Sequence, residues 1–318
     1  MIIYLNGYCG EPAAAANSCY SKNMANRFSI EKVGDGGGIA WLIRAEHSAV
    51  LVDTGFPYYG KALAKELEIS LGGIPLSSIL ITHSHYDHAG GLSRVKAAFP
   101  EAVVYAAAHA QQVLQREGAL KAMRELNRTA AALADGDFEI SDEDVGGYMI
   151  DRTPGDGDQL RTEDFLIEVW ETPGHTNDSL SYWFPRESLM VLSETTGVLL
   201  KRSPMFVEPA FIVSWKSSVA AVERVEKIMP QTILVPHTGY LSGDDVKEYL
   251  QKQKEAILET KELVFRLSAE GKTEDEILAA IQSLYYDIRP PSLKACQPLS
   301  AFLLNFKAMI PRALAEGP

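Results

Sequence analysis

The run ITHSHYDHAGG at residues 81–91 constrains this chain more than any other segment. Three histidines and an aspartate fall between His83 and His88, directly after the short apolar run Ile79–Thr82. Such a run reads as a buried strand, so the fold must carry a cluster of ligand-type side chains just past a strand's C-terminal end. Imidazoles spaced two and three residues apart around a carboxylate would repel one another as imidazoliums. Neutral rings that share a cation remove the conflict. Imidazole and carboxylate donors together suit a divalent metal ion.

The surrounding pattern is α/β. FSIEKV, IAWLIRA and SAVLVDTG read as strands, YGKALAKELEISL (59–71) as a helix, LSRVKAAF as a helix, AVVYAA (102–107) as a strand and residues 109–134 as one helix. Strands return at FLIEVWET, LSYWF and LMVLSE, followed by the helix SSVAAVERVEKIM and the strand TILVPH ending at His237. The second half repeats the grammar of the first, which argues for two sheets sandwiched by helices. GDGGG at 34–38 reads as a hairpin turn, because no Gly-Lys-Ser/Thr follows to make a phosphate loop. The acidic stretch DGDFEISDEDVGG is either a lid or a surface excursion. Beyond Gly243 the pattern becomes helical, with a capping box at Thr273 and Glu276 and a break at Pro290-Pro291. The expected domains are residues 1–243 and a helical extension, 244–318.

Composition narrows the function classes. The 318 residues carry a formal net charge of −12, which argues against a phosphate-binding surface and favours a small-molecule substrate over nucleic acid. No apolar run reaches the roughly 18 residues a membrane helix needs, and the N-terminal stretch lacks a basic leader. Cys9, Cys19 and Cys296 are odd in number and widely spaced, which fits reduced thiols and a cytoplasmic setting. A homodimer is compatible with all of this.

HSHYDH matches the His-x-His-x-Asp-His motif of the metallo-β-lactamase-fold hydrolases, and further segments follow in that family's order. VLVDTG resembles the strand and turn before the motif, TPGHTNDSLSYW the segment holding the next histidine, His175, and VPHTGYL the one holding the last, His237. The resemblance covers about residues 28–243. It implies a four-layer αββα sandwich with appended C-terminal helices. It also implies one metal site at His83, His85 and His175 and a second at Asp87, His88 and His237.

What the resemblance implies chemically is a metal-dependent hydrolase, with two divalent ions, zinc first and iron or manganese as alternatives. A water on such an ion has its pKa lowered to about 7, and Asp87 would orient it or shuttle its proton. Where the family places a bridging aspartate this chain has Glu194, whose extra methylene puts the spacing or the second ion in question. Asp53 and Thr82 are placed to steady imidazole N–H groups, with a turn before Gly55 the other reading of Asp53; His109 either lines the cleft or starts a helix, and His47 reads as a solvated turn residue. Met205, Phe206, Phe211 and Trp215 either wall the pocket or pack the core. An ester, thioester or lactone is the expected substrate. A phosphodiesterase or ribonuclease, a mononuclear iron dioxygenase and a metal-binding effector with little turnover are the alternatives.

Overall fold

The computed structural model describes residues 28–34, 40–134, 141–288 and 299–317. The three cysteines, the N-terminal stretch, nearly all of the GDGGG turn, the first half of the acidic stretch and the Pro290-Pro291 break lie outside them. The chain forms two compact units. One holds the described residues up to Glu171 together with Leu180–Val191; the other holds Thr172–Ser179 and the described residues from Leu192 onward.

In the first unit, β1 (Ser29–Val33), β2 (Ala40–Arg44) and β3 (Ala49–Val52) form an antiparallel meander that continues in parallel through β4 (Leu76–Leu80) and β5 (Val103–Tyr105). Every residue of β3 is buried, as expected for an unbroken apolar run in a parallel pair. Parallel pairing demands crossovers. These are α1 (Gly60–Leu71), between β3 and β4, and α2 (Tyr86–Ala89) with α3 (Leu92–Ala98), between β4 and β5.

The expected single helix over 109–134 is instead two, α4 (Ala108–Val113) and α5 (Glu117–Leu133). Leu114 is buried and Arg116 takes an extended backbone, so anchoring one leucine in the core overrides an otherwise continuous helical propensity. A second antiparallel meander follows: β6 (Gln159–Arg161), β7 (Leu166–Glu171), β8 (Leu180–Phe184) and β9 (Leu189–Val191). Two bonds tie it to the segment after β4, from Tyr182 Oη to the Ile81 carbonyl and from Leu180 N to the Thr82 carbonyl, each 2.7 Å.

The second unit contains the hairpin β10 (Val198–Lys201) and β11 (Phe206–Glu208), the helix α6 (Trp215–Ile228) and the hairpin β12 (Thr232–Val235) and β13 (Gly239–Ser242). Helices α7 (Asp244–Ala269), α8 (Glu274–Ile281) and α9 (Leu299–Glu316) follow. The capping box read at Thr273 and Glu276 is present, opening α8. Met205, Phe211 and Trp215 are buried and Phe206 is partly buried. Among the described residues no helix is long and apolar enough to cross a membrane.

Candidate metal centre

The first unit delivers four ligand-type residues between β4 and α3: His83 and His85 on the loop, Asp87 and His88 in α2. β4 ends at Leu80, and Asp53 N donates to the Leu80 carbonyl at 2.8 Å, so the turn after β3 is fastened to the strand that feeds the motif. Asp53 sits at φ 59° and its carboxylate accepts from Thr82 N and Thr82 Oγ1, both at 2.8 Å. Its Oδ2 also lies 2.8 Å from His88 Nδ1. A carboxylate can only accept there, so His88 carries its proton on Nδ1 and keeps a lone pair on Nε2. The Thr82 hydroxyl has already given its hydrogen to Asp53, so at 3.0 Å it accepts from His83 Nδ1, which puts the ring's lone pair on Nε2.

That Nε2 lies 3.0 Å from His85 Nδ1, and the His83 ring centroid is 4.6 Å from His85's and 4.1 Å from His88's. Three rings packed this closely share a cation more readily than they carry three charges. His83, Asp87 and His88 are buried and His85 is partly exposed. Burial, with the Asp87 charge beside it, pushes the Tyr86 phenol far above its usual range, so it stays neutral within the motif.

The second unit delivers three. Gly174, at φ 146°, offers its carbonyl to the amides of Ile212, Val213 and Ser214 (3.1, 2.8 and 3.1 Å), which fixes the backbone carrying His175. The His175 amide donates to Thr195 Oγ1 at 3.2 Å, and Nδ1 donates to the Ala210 carbonyl at 2.7 Å. Nε2 is thereby aimed at Glu194 Oε2, 2.6 Å away, and the other carboxylate oxygen lies 2.5 Å from His237 Nε2. His237 sits in the β12–β13 turn at φ 62°, a left-handed conformation that histidine adopts more readily than most side chains.

Glu194 is fully buried. Burial alone would raise its pKa, but the two imidazoles beside it hold the carboxyl well below the usual carboxylate range. An imidazole lone pair cannot face a carboxylate oxygen at 2.6 Å without a positive charge between them. A proton or a divalent ion meets that need, so the donor set fits a metal.

Four of the expected ligands thus lie on the first unit's segment and three on the second unit's; Asp53 and Thr82 bond to the rings of His88 and His83, and His47 and His109 lie apart. The His47 ring is half exposed, and His109 is in the first turn of α4. The Ala210 carbonyl and Thr195 carry no sequence signal, because a backbone acceptor 35 residues away and a hydroxyl in a turn look like any others.

A sequence profile described as Metallo-beta-lactamase superfamily matches residues 33–237. Among curated proteins, the hydroxyacylglutathione hydrolase of Methylobacterium sp. (strain 4-46) is 32% identical over 127 residues, covering 40% of this chain and 36% of that protein. The chain thus matches about a third of the length of such relatives. The probable metallo-hydrolase YflN of Bacillus subtilis (strain 168) is 22% identical over 217 residues, 64% of this chain and 80% of its own. Among solved structures, a metallo-beta-lactamase family protein from Thermus thermophilus superposes with a TM-score of 0.60 at 18% identity, covering 92% of this chain and 94% of that one.

Proposed function

The chain belongs to the metallo-beta-lactamase superfamily, and from that premise we propose that it is a hydrolase using a pair of divalent ions, zinc first, to cleave a small acyl thioester or a neighbouring ester or lactone. His83, His85 and His175 would hold one ion and Asp87, His88 and His237 the other, with Glu194 between them.

One observation carries the dinuclear reading. The two oxygens of Glu194 lie against His175 and His237, one histidine from each ligand set. A carboxylate so placed would suit a bridge, which supports the dinuclear reading despite the longer side chain. Similarity to hydroxyacylglutathione hydrolases supports an acyl thioester of a small thiol as the substrate class. The net charge of −12 weighs against a polyanionic substrate.

When bound, the ions supply Lewis acidity and lower the pKa of a coordinated water to about 7. Asp87 takes the proton of the attacking water and returns it to the leaving thiolate, so the carbonyl carbon gains a C–O bond as its C–S bond breaks. Asp53 and the Ala210 carbonyl keep the proton on Nδ1 of His88 and His175, so that Nε2 remains a donor to metal.

A panel of acyl thioesters, lactones and a chromogenic phosphodiester, assayed with and without Zn²⁺, Mn²⁺ or Fe²⁺, tests the reading. Thioester hydrolysis is expected, lost on chelation and in His83→Ala, with two metal equivalents per chain by mass spectrometry. A flat panel, or turnover of the phosphodiester alone, would overturn it.

A further inference from the structure

Most of the buried face of α7 is apolar, with Val246, Leu250 and Ile257 at 0% exposure, yet Tyr249 and Gln253, one turn apart, are buried as completely. Polar groups in such a place are unfavourable unless bonded, so their partners show what they are for. Both reach the same short segment of backbone. Tyr249 Oη lies 2.9 Å from the Gly197 carbonyl and 3.2 Å from that of Thr196, and Gln253 Nε2 donates to the Val198 carbonyl at 3.2 Å.

Three consecutive carbonyls, all directly after Glu194 and Thr195, are therefore gripped by one face of one helix. Gly197 lies at φ 80°, and a Cβ added there would fall 2.0 Å from Gln253 Oε1, so the amide rests flat against the backbone. The Gly197 amide donates back to the Glu194 carbonyl at 2.8 Å and closes the turn.

We infer that Tyr249 and Gln253 are positioning residues that hold the 194–198 turn and, through it, the aim of the Glu194 carboxylate at His175 and His237. The functional meaning of that aim rests on the metal-hydrolase reading above. A glutamate has one more rotatable bond than an aspartate, and a metal site needs its ligands placed to within about 0.5 Å. Fixing the backbone at its root removes the freedom that the longer side chain adds. On this reading α7 serves the centre itself, besides covering the core.

The test uses the full chain with Tyr249→Phe and Gln253→Met, singly and together, in the wild-type and Glu194→Ala backgrounds. Two quantities are read: Zn²⁺ affinity by competition with a chromogenic chelator, and amide hydrogen exchange of the 194–198 segment in metal-free protein. The double variant is expected to bind the Glu194-dependent zinc about 10- to 100-fold more weakly. Exchange should rise in that segment and not elsewhere, and zinc affinity should barely change once Glu194 is gone. Unchanged affinity in the wild-type background, or an equal loss without Glu194, overturns the inference. A wild-type chain that binds no zinc sinks the metal reading alone. The exchange data then decide the clamp, and a 194–198 segment that does not respond overturns it. Tyr249→Phe removes one hydroxyl and keeps the ring, so at least one variant tests the point in a folded chain.

Discussion

Asp53 shows how much one residue can organise. Its backbone stands in the left-handed region at φ 59°, which asparagine tolerates as well as aspartate, while its carboxylate accepts from Thr82 twice and faces His88 Nδ1. Asp53→Ala leaves buried Thr82 donors without an acceptor, at about 1–3 kcal/mol each, and frees the His88 ring. Asp53→Asn keeps a carbonyl for the Thr82 amide but presents no charge to His88. Asp53→Ala is expected to lose both stability and metal affinity, and Asp53→Asn mainly affinity, by about 10- to 100-fold. Urea denaturation alongside chelator competition separates the two. Equal stability losses with metal binding intact would make Asp53 a structural turn residue only. Among the proposed ligands His237 also stands in the left-handed region, at φ 62°, where the turn of the β12–β13 hairpin places it.

At the scale of elements, α6 and α8 begin in different ways. The start of α6 is held by Ser214, which accepts from the Ser217 amide at 3.0 Å, and by the side chain of Glu316 at the end of α9, which accepts from Trp215 N at 2.8 Å. Acidic oxygens at a helix N-terminus meet free N–H groups and the positive end of the dipole. Glu316→Ala is therefore expected to lower stability by about 1 kcal/mol, read by denaturant titration. Gly174 packs below this same start. A Cβ there would meet Ser218 Oγ at 2.2 Å and Ser218 N at 2.9 Å at a φ that side chains avoid. Gly174→Ala is expected to cost about 1–3 kcal/mol or more and to weaken metal binding through His175.

In α8, a hydrogen bond from Lys272 and another from the Thr273 amide hold the Glu276 carboxyl down at about 2, against an ordinary 4.5. A depressed folded pKa stabilises fully above 4.5, and the benefit is lost as pH falls toward 2. Glu276→Gln is expected to flatten the acid-side fall in melting temperature over that window. An unchanged slope would show that the capping box has no share in it.

For the whole molecule, metal binding and folding are linked, because an ion held by the native side chains and not by the unfolded chain stabilises by about 2.7 kcal/mol at a hundredfold excess over its Kd. Chelation is expected to lower the melting temperature of the wild type, restored by added Zn²⁺, and to change Glu194→Ala much less. A melting curve indifferent to chelator would sink the cofactor reading at this scale. The acidity of the chain is compatible with bound cations, which a formal count of −12 leaves out.

Local pattern was enough for the class of the fold and for picking out the histidines and carboxylates proposed as ligands. An apolar run ending in HSHYDH, glycine beside His175 and a Thr-x-x-Glu start to α8 each record a constraint that acts within a few residues, so each is visible in order along the chain. Short strands such as β6, β11 and β13, of three or four residues, are too brief to show a period, and the break between α4 and α5 depends on where Leu114 is buried. The same holds for the tautomer of His175, set by a carbonyl 35 residues away, for the reach of Glu194 to two histidines, and for the grip of Tyr249 and Gln253, 52 to 55 residues from their acceptors. Hydrogen bonds between segments so far apart leave no spacing in the sequence to read; folding alone brings their partners to within about 3 Å.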